Sequence, residues 1–172
     1  VASGSFDLTA LTAVALAQAS SLVPTSDSPI GPESPGDTWL LTAVLGELAS
    51  NGPVETLPAL PAAAEFPGTL APNAGALAST VEPIDATYRG RDGWYSFSGS
   101  GIAVMRSTGL WAKAGEAITV QVPAAAAGQG LKVLIGCHTD KPGGQVKRFR
   151  EVTRSFGLAT TSTVAASSFG GL

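Results

Sequence analysis

The chain has one cysteine and one histidine in 172 residues. A single cysteine, Cys137, excludes an intrachain disulfide framework, and its place in an apolar alternation predicts a buried, inert thiol. A single histidine, His138, excludes a zinc site built on two imidazoles within this sequence. Charged residues are scarce, at 13%, and no base at all precedes Arg89. Uninterrupted apolar runs fall far short of the roughly 20 residues that span a bilayer. Residues 8–17 are apolar but follow no basic segment, so they do not read as a secretory signal, and the start at Val1 fits a processed chain. Asn51 and Asn73 both lack a hydroxyl residue two positions on, which excludes an N-glycosylation sequon.

What the chain does have is alanine, glycine, serine and threonine within a 44% hydrophobic composition. This suits short strands and tight turns in one domain, or one domain with a helical extension, and it is not a disordered composition. Charge is split by position. Residues 1–88 carry nine acids, Asp37 and Glu47 among them, whereas residues 89–172 carry all ten bases against four acids. Halves of opposite sign predict that acidic and basic parts meet, within one molecule or between copies.

Periodicity divides the chain at about residue 64. Residues 7–21 predict a helix capped by Asp7, with Leu8, Leu11, Ala15 and Leu22 near one face. Residues 23–36, with four prolines and two glycines, predict a linker that suits O-linked sugars. Residues 37–51 predict the strongest helix, with Asp37 as N-cap and Leu40, Leu41, Val44, Leu45 and Leu48 as its stripe. Asn51-Gly52-Pro53 is its stop, glycine serving a left-handed cap. Prolines 53, 58, 61, 67 and 72 make residues 53–75 a connector with a short helical turn within 54–64. Beyond residue 78 the period becomes two. Ile118, Val120 and Val122 form one alternation, and Leu131, Val133, Ile135 and Cys137 another. Further apolar positions include Trp94, Phe97, Ile102, Val104, Phe149, Val152, Phe156, Leu158 and Val164. The expected fold is mostly β, an antiparallel jelly-roll-like β-sandwich over 65–172, preceded by a small helical extension over 1–64.

The order of motifs from Glu65 onward carries a resemblance. Glu65-Phe66-Pro67-Gly68 is followed by a strand expected at Val81–Tyr88, then Ser107-Thr108-Gly109-Leu110-Trp111 and Ala114-Gly115-Glu116-Ala117-Ile118-Thr119-Val120. Gly130-Leu131-Lys132-Val133-Leu134-Ile135-Gly136-Cys137-His138-Thr139-Asp140, Glu151-Val152-Thr153-Arg154-Ser155-Phe156 and Phe169-Gly170-Gly171-Leu172 complete it. This series resembles the opening of enhancin-like zinc metallopeptidase domains, which act on mucins and other glycoproteins. The resemblance implies the β-sandwich that precedes the catalytic subdomain. The family's chemistry rests on His-Glu-x-x-His on a helix, with two imidazoles one turn apart on zinc and the glutamate as base. That motif is absent from these 172 residues. In that family a strand continues past Phe169–Leu172, so the edge there is expected to recruit another strand.

Candidate residues follow from these readings. His138 and Asp140, at a strand end, are either a ligand contact or a structural strand-to-loop transition. Tyr95 and Trp111 are either a sugar-stacking platform or core, with Trp94 assigned to core. Lys147, Arg148, Arg150 and Arg154 form a basic stretch that protects a strand edge or receives the acidic half of a neighbour, through Asp37 and Glu47. A pI near 5 argues against nucleic acid. Gly99-Ser100-Gly101 and Gly128-Gln129-Gly130 read as turns rather than phosphate loops, and no Gly-x-Ser-x-Gly elbow supports a serine nucleophile. The expectation is a non-catalytic extracellular module without metal or cofactor, contacting a glycoprotein, a glycan or copies of itself, to the point of a filament. The alternative is the N-terminal fragment of a glycoprotein-directed zinc metallopeptidase.

Overall fold

The computed structural model describes residues 9–87, 104–136, 138 and 144–171. Its elements are α1 (Thr9–Ala17), α2 (Ala19–Leu22), α3 (Gly36–Asn51), a 3₁₀ turn (Pro61–Ala64) and four strands. The strands are β1 (Ile118–Gln121), β2 (Lys132–Ile135), β3 (Arg154–Gly157) and β4 (Ser162–Ala165).

The two helical segments expected near the N-terminus are present. Asp7 lies outside the described residues. In α3, Leu41, Leu45 and Ala49 recur every four residues and are buried. The stripe is therefore rotated from the expected one: Leu40 is 54% exposed, and Ala49 joins the core. Asp37 is not the N-cap. Pro35 holds that position with extended backbone, and Asp37 sits in the first turn, where its carboxylate accepts the Thr38 N–H at 2.8 Å. A carboxylate there still favours the helix through the dipole. The stop at Gly52 also works differently from the expectation. Gly52 has φ −62° and ψ 157°, extended rather than left-handed. Glycine fits there because a Cβ would lie 2.5 Å from the Leu48 carbonyl oxygen.

Residues 23–36 do more than link. Val23 and Ile30 are buried, and Ile30 forms a two-hydrogen-bond bridge with Val146, at 2.9 and 2.7 Å. The connector is likewise stitched down, with Leu57 and Leu60 buried and the Leu60 N–H donating to the Ser168 carbonyl at 2.9 Å.

The strands pair antiparallel in a nested order. β2 and β3 form the inner pair, with Ile135 opposite Arg154, and β1 and β4 the outer pair, with Ile118 opposite Ala165. The alternation in β1 is as expected, Ile118 and Val120 half-buried and Thr119 and Gln121 exposed. Val164, expected inside, lies opposite Thr119 on the outer face and is 46% exposed. Two glycines of the family-like motifs permit close backbone approach: at Gly136 (φ +93°) a Cβ would lie 2.6 Å from the Val152 carbonyl oxygen, and at Gly170 (φ +67°) 2.5 Å from that of Ala112. Gly171 then bridges Ala112 in an antiparallel pair.

Two hydrophobic clusters result. The larger joins Ala15, Ala19, Leu22, Val23, Leu41, Leu45, Ala49, Leu60 and Ala63 to Phe149, Val152 and Phe169. The smaller gathers Ala112, Ile135 and Ala165, with Ile118, Val133 and Phe156 against them, so one face of each strand pair contributes.

The mostly-β expectation is met only in part. The described residues hold two two-stranded sheets and more α-helix than strand. Residues 81–87 of the expected Val81–Tyr88 strand have no regular structure, and Val81 is 91% exposed. The apolar residues of this region, Leu70, Leu77, Val81 and Ile84, are too widely spaced to give a strand a continuous buried face.

Candidate functional site

A groove of about 350 Å³ opens between residues far apart in sequence. Ser26, Glu65, Phe66, Gln145, Lys147 and Arg148 line it. The bridge between Ile30 and Val146 ties the segment after Ser26 to the one that carries Gln145, Lys147 and Arg148. Phe66 is the centrepiece. The His138 ring packs on it at 4.7 Å between centroids, tilted by 58°, and the Arg148 guanidinium lies 4.4 Å from its centroid. Such cation–ring stacking restrains a side chain that is otherwise costly to order. Arg148 Nη1 also donates to the Phe149 carbonyl at 2.9 Å.

Glu65 is held just as firmly. Its Oε1 accepts the Ser26 N–H at 2.7 Å, across 39 positions of sequence. Hydrogen bonds from the Ser26 backbone, and then from its side chain, hold the carboxyl below its ordinary pKa, against a smaller opposing desolvation. The lining thus holds an anionic acceptor, Glu65, and two cationic residues, Lys147 and Arg148.

Of the residues singled out from sequence, His138, Lys147 and Arg148 come together here, with Lys147 exposed and Arg148 half-buried. His138 is exposed, and its carbonyl accepts the N–H groups of Val152 and Thr153 at 3.1 and 3.3 Å, which anchors the loop before β3. Arg150 is exposed beside α3, its guanidinium 5.8 Å from the Trp39 ring centroid. Arg154 is buried, donates to the Gly52 carbonyl and lies over Phe156, which takes it off any docking surface. Glu47 accepts the Asn51 side-chain amide on α3's own surface at 2.8 Å, and Asp37 is likewise engaged locally. Trp111 is half-buried before the Ala112 bridge. Trp94, Tyr95, Cys137 and Asp140 lie outside the described residues.

Sequence reasoning missed Ser26, Glu65, Phe66 and Gln145 as site residues. Glu65 and Phe66 were visible as the head of the family-like motif series, but no spacing rule ties them to Ser26 or to the basic stretch. Among the described residues no cluster of three or more His, Cys, Asp or Glu could hold a metal ion, and no helix is long and apolar enough to cross a membrane.

The motif order and the strand register converge on one segment, from before the Trp111–Gly115 turn to the Phe169–Gly171 bridge. Residues 96–172 match the family model for the N-terminal domain of M60-like peptidases. This is the enhancin-like group that the motif order resembles. The match carries the N-terminal domain and not the catalytic part, and it leaves the helices, the linker and Glu65–Phe66 outside. Of the residues that line the groove, Gln145, Lys147 and Arg148 fall within the matched segment and Ser26, Glu65 and Phe66 do not. No curated protein and no solved structure matches the chain.

Proposed function

We propose that this chain is a non-catalytic accessory module of the M60-like kind, which works outside the cell and presents a binding surface to a glycoprotein. The observation that supports this reading most is the match of residues 96–172 to a domain that accompanies M60-like peptidases. The residue inventory agrees: one histidine cannot supply the two imidazoles of His-Glu-x-x-His within this sequence. The shared cluster formed by one face of each strand pair supports the finer fold reading, a small sandwich built by the 96–172 segment.

The test is to incubate the purified chain with zinc and a heavily O-glycosylated protein. Intact glycoprotein, no stoichiometric zinc in the protein, and retention of the chain on the immobilised glycoprotein are expected. Cleavage, or one zinc per chain, would overturn the non-catalytic reading, and absence of retention would overturn the binding role. The same match supports a second reading, in which this module is the N-terminal part of a longer peptidase. An intact-mass measurement on the natural protein decides it: a mass well above 17.2 kDa with a His-Glu-x-x-His sequence would establish the longer chain.

A further inference from the structure

Residues 69–87 are exposed without a break and hold no helix or strand. In sequence they lie between the helical region and the matched segment. Pro72 and Pro83 bound the central part, residues 73–82. A proline offers no N–H to a protease cleft and fixes its own φ, which makes the bonds before Pro72 and Pro83 poor cleavage sites. Between them the chain is mostly Ala, Gly, Ser and Thr, with two large apolar side chains: Leu77, 69% exposed, and Val81, 91% exposed. Among the described residues, the hydrogen bonds made by 73–82 are local. The Ala74 N–H donates to the Ala71 carbonyl at 2.8 Å, and the Thr80 hydroxyl to Glu82 at 3.0 Å. Little structure therefore has to be undone before this main chain can enter a cleft. An endopeptidase pairs with its substrate's backbone as with an added strand and takes a side chain into a pocket. The sequence also selects the pocket. Residues 1–88 contain no Lys or Arg, so a pocket for a cationic side chain finds nothing here, whereas an apolar pocket finds Leu77 and Val81.

We propose that residues 73–82 are a processing site, where an endopeptidase with an apolar pocket hydrolyses a bond beside Leu77 or Val81, and that the two pieces remain one folded molecule. Water adds across the peptide bond, leaving a carboxylate on the first piece and an ammonium on the second. Both new charges lie where the chain is already exposed, so neither is buried. The contacts that span the cut are extensive. Phe149, Val152 and Phe169 of the second piece share a core with Ala15, Leu22, Leu41 and Leu45 of the first. Ile30 and Val146 exchange two hydrogen bonds, the Leu60 N–H donates to the Ser168 carbonyl, and the buried Arg154 donates to the Gly52 carbonyl. Cleavage thus ends the covalent link between the helices and the matched segment without ending their packing.

The test is brief digestion of the full chain under native conditions with thermolysin, which cuts before apolar residues, and in parallel with trypsin. Fragments are identified by mass, and the products are run on size exclusion with and without denaturant. Thermolysin should cut first within 73–82. Its two pieces should elute together at the position of the intact chain, keep the far-UV spectrum, and separate only in denaturant. Trypsin should leave residues 1–88 uncut. The variant carrying both L77D and V81D should be cut within 73–82 at least about tenfold more slowly, because a carboxylate does not enter an apolar pocket. Its melting temperature should match that of the unaltered chain, since both side chains are exposed. First cuts within 9–64 or 104–171, resistance of 73–82 to thermolysin, or an unaffected rate in the variant would overturn the site. Pieces that part without denaturant would overturn the claim that the cut molecule stays whole.

Discussion

The two hydrophobic clusters divide the molecule in a way its family boundary does not. The smaller one lies wholly inside residues 96–172 and is built from strand faces. The larger one takes nine of its twelve buried members from residues 15–63 and only Phe149, Val152 and Phe169 from the matched segment. The matched segment therefore completes its own strand pairs but relies on the helices to cover Phe149 and Phe169. These two rings pack at 5.0 Å in the shared core, and Phe169 is 1% exposed.

The severest way to break this comparison is to remove one side of it. A chain of residues 65–172 loses every helix among the described residues and the Ile30–Val146 bridge, and it exposes Phe149, Val152 and Phe169. It should show no cooperative thermal transition, and it should bind a hydrophobic dye such as ANS. A sharp transition in this fragment would show that the strand pairs form a self-sufficient domain and that the helices are an appendage.

Point substitutions weigh the clusters against each other. Phe169→Ala removes a fully buried ring from the shared core and should cost about 3–5 kcal/mol in urea unfolding. Ile135→Val, at 2% exposure in the smaller cluster, should cost about 0.5–1.5 kcal/mol. The decisive comparison holds side-chain size constant. Leu45→Ala and Ile135→Ala each delete a buried aliphatic group, so a similar loss is expected from transfer alone, in the range of about 2–5 kcal/mol. A Leu45→Ala loss well below that of Ile135→Ala would mean that the helical core is loosely packed and not the principal one.

How far the sequence disclosed this arrangement depends on the range of the interaction. Local patterns were legible: the α3 stripe within one rotation, the Ile118–Val120 alternation, and the turns at glycines. The motif order identified the M60-like segment because its glycines have a physical cause, with Gly136 and Gly170 standing where a Cβ would strike a carbonyl oxygen. Pairings across long separations were not legible. Nothing in composition predicts that Ser26 holds Glu65, that Ile30 meets Val146, or that Arg154 turns inward to the Gly52 carbonyl. The charge split predicted that the halves meet. They do, but Arg150 meets an indole ring and Arg154 a backbone oxygen, partners that counting opposite charges cannot identify.

The mildest effect is expected at the groove, at the hydrogen bond between Ser26 and Glu65 in its lining. Glu65 is exposed, so its tie to Ser26 is weakly stabilising and shows best through pH. A carboxyl whose pKa is lower in the folded chain than in the unfolded one adds stability above the unfolded value, and that stability disappears as pH falls through the folded value. Glu65→Gln cannot titrate and keeps a carbonyl acceptor for the Ser26 N–H. The melting temperature of the unaltered chain should therefore exceed that of the variant slightly at neutral pH. The difference should close as pH falls below the ordinary carboxylate range, the direction that linkage requires. A difference that widens in acid would mean that Glu65 is strained by its surroundings rather than stabilised by Ser26. It would also remove the fixed acceptor from the wall of the groove.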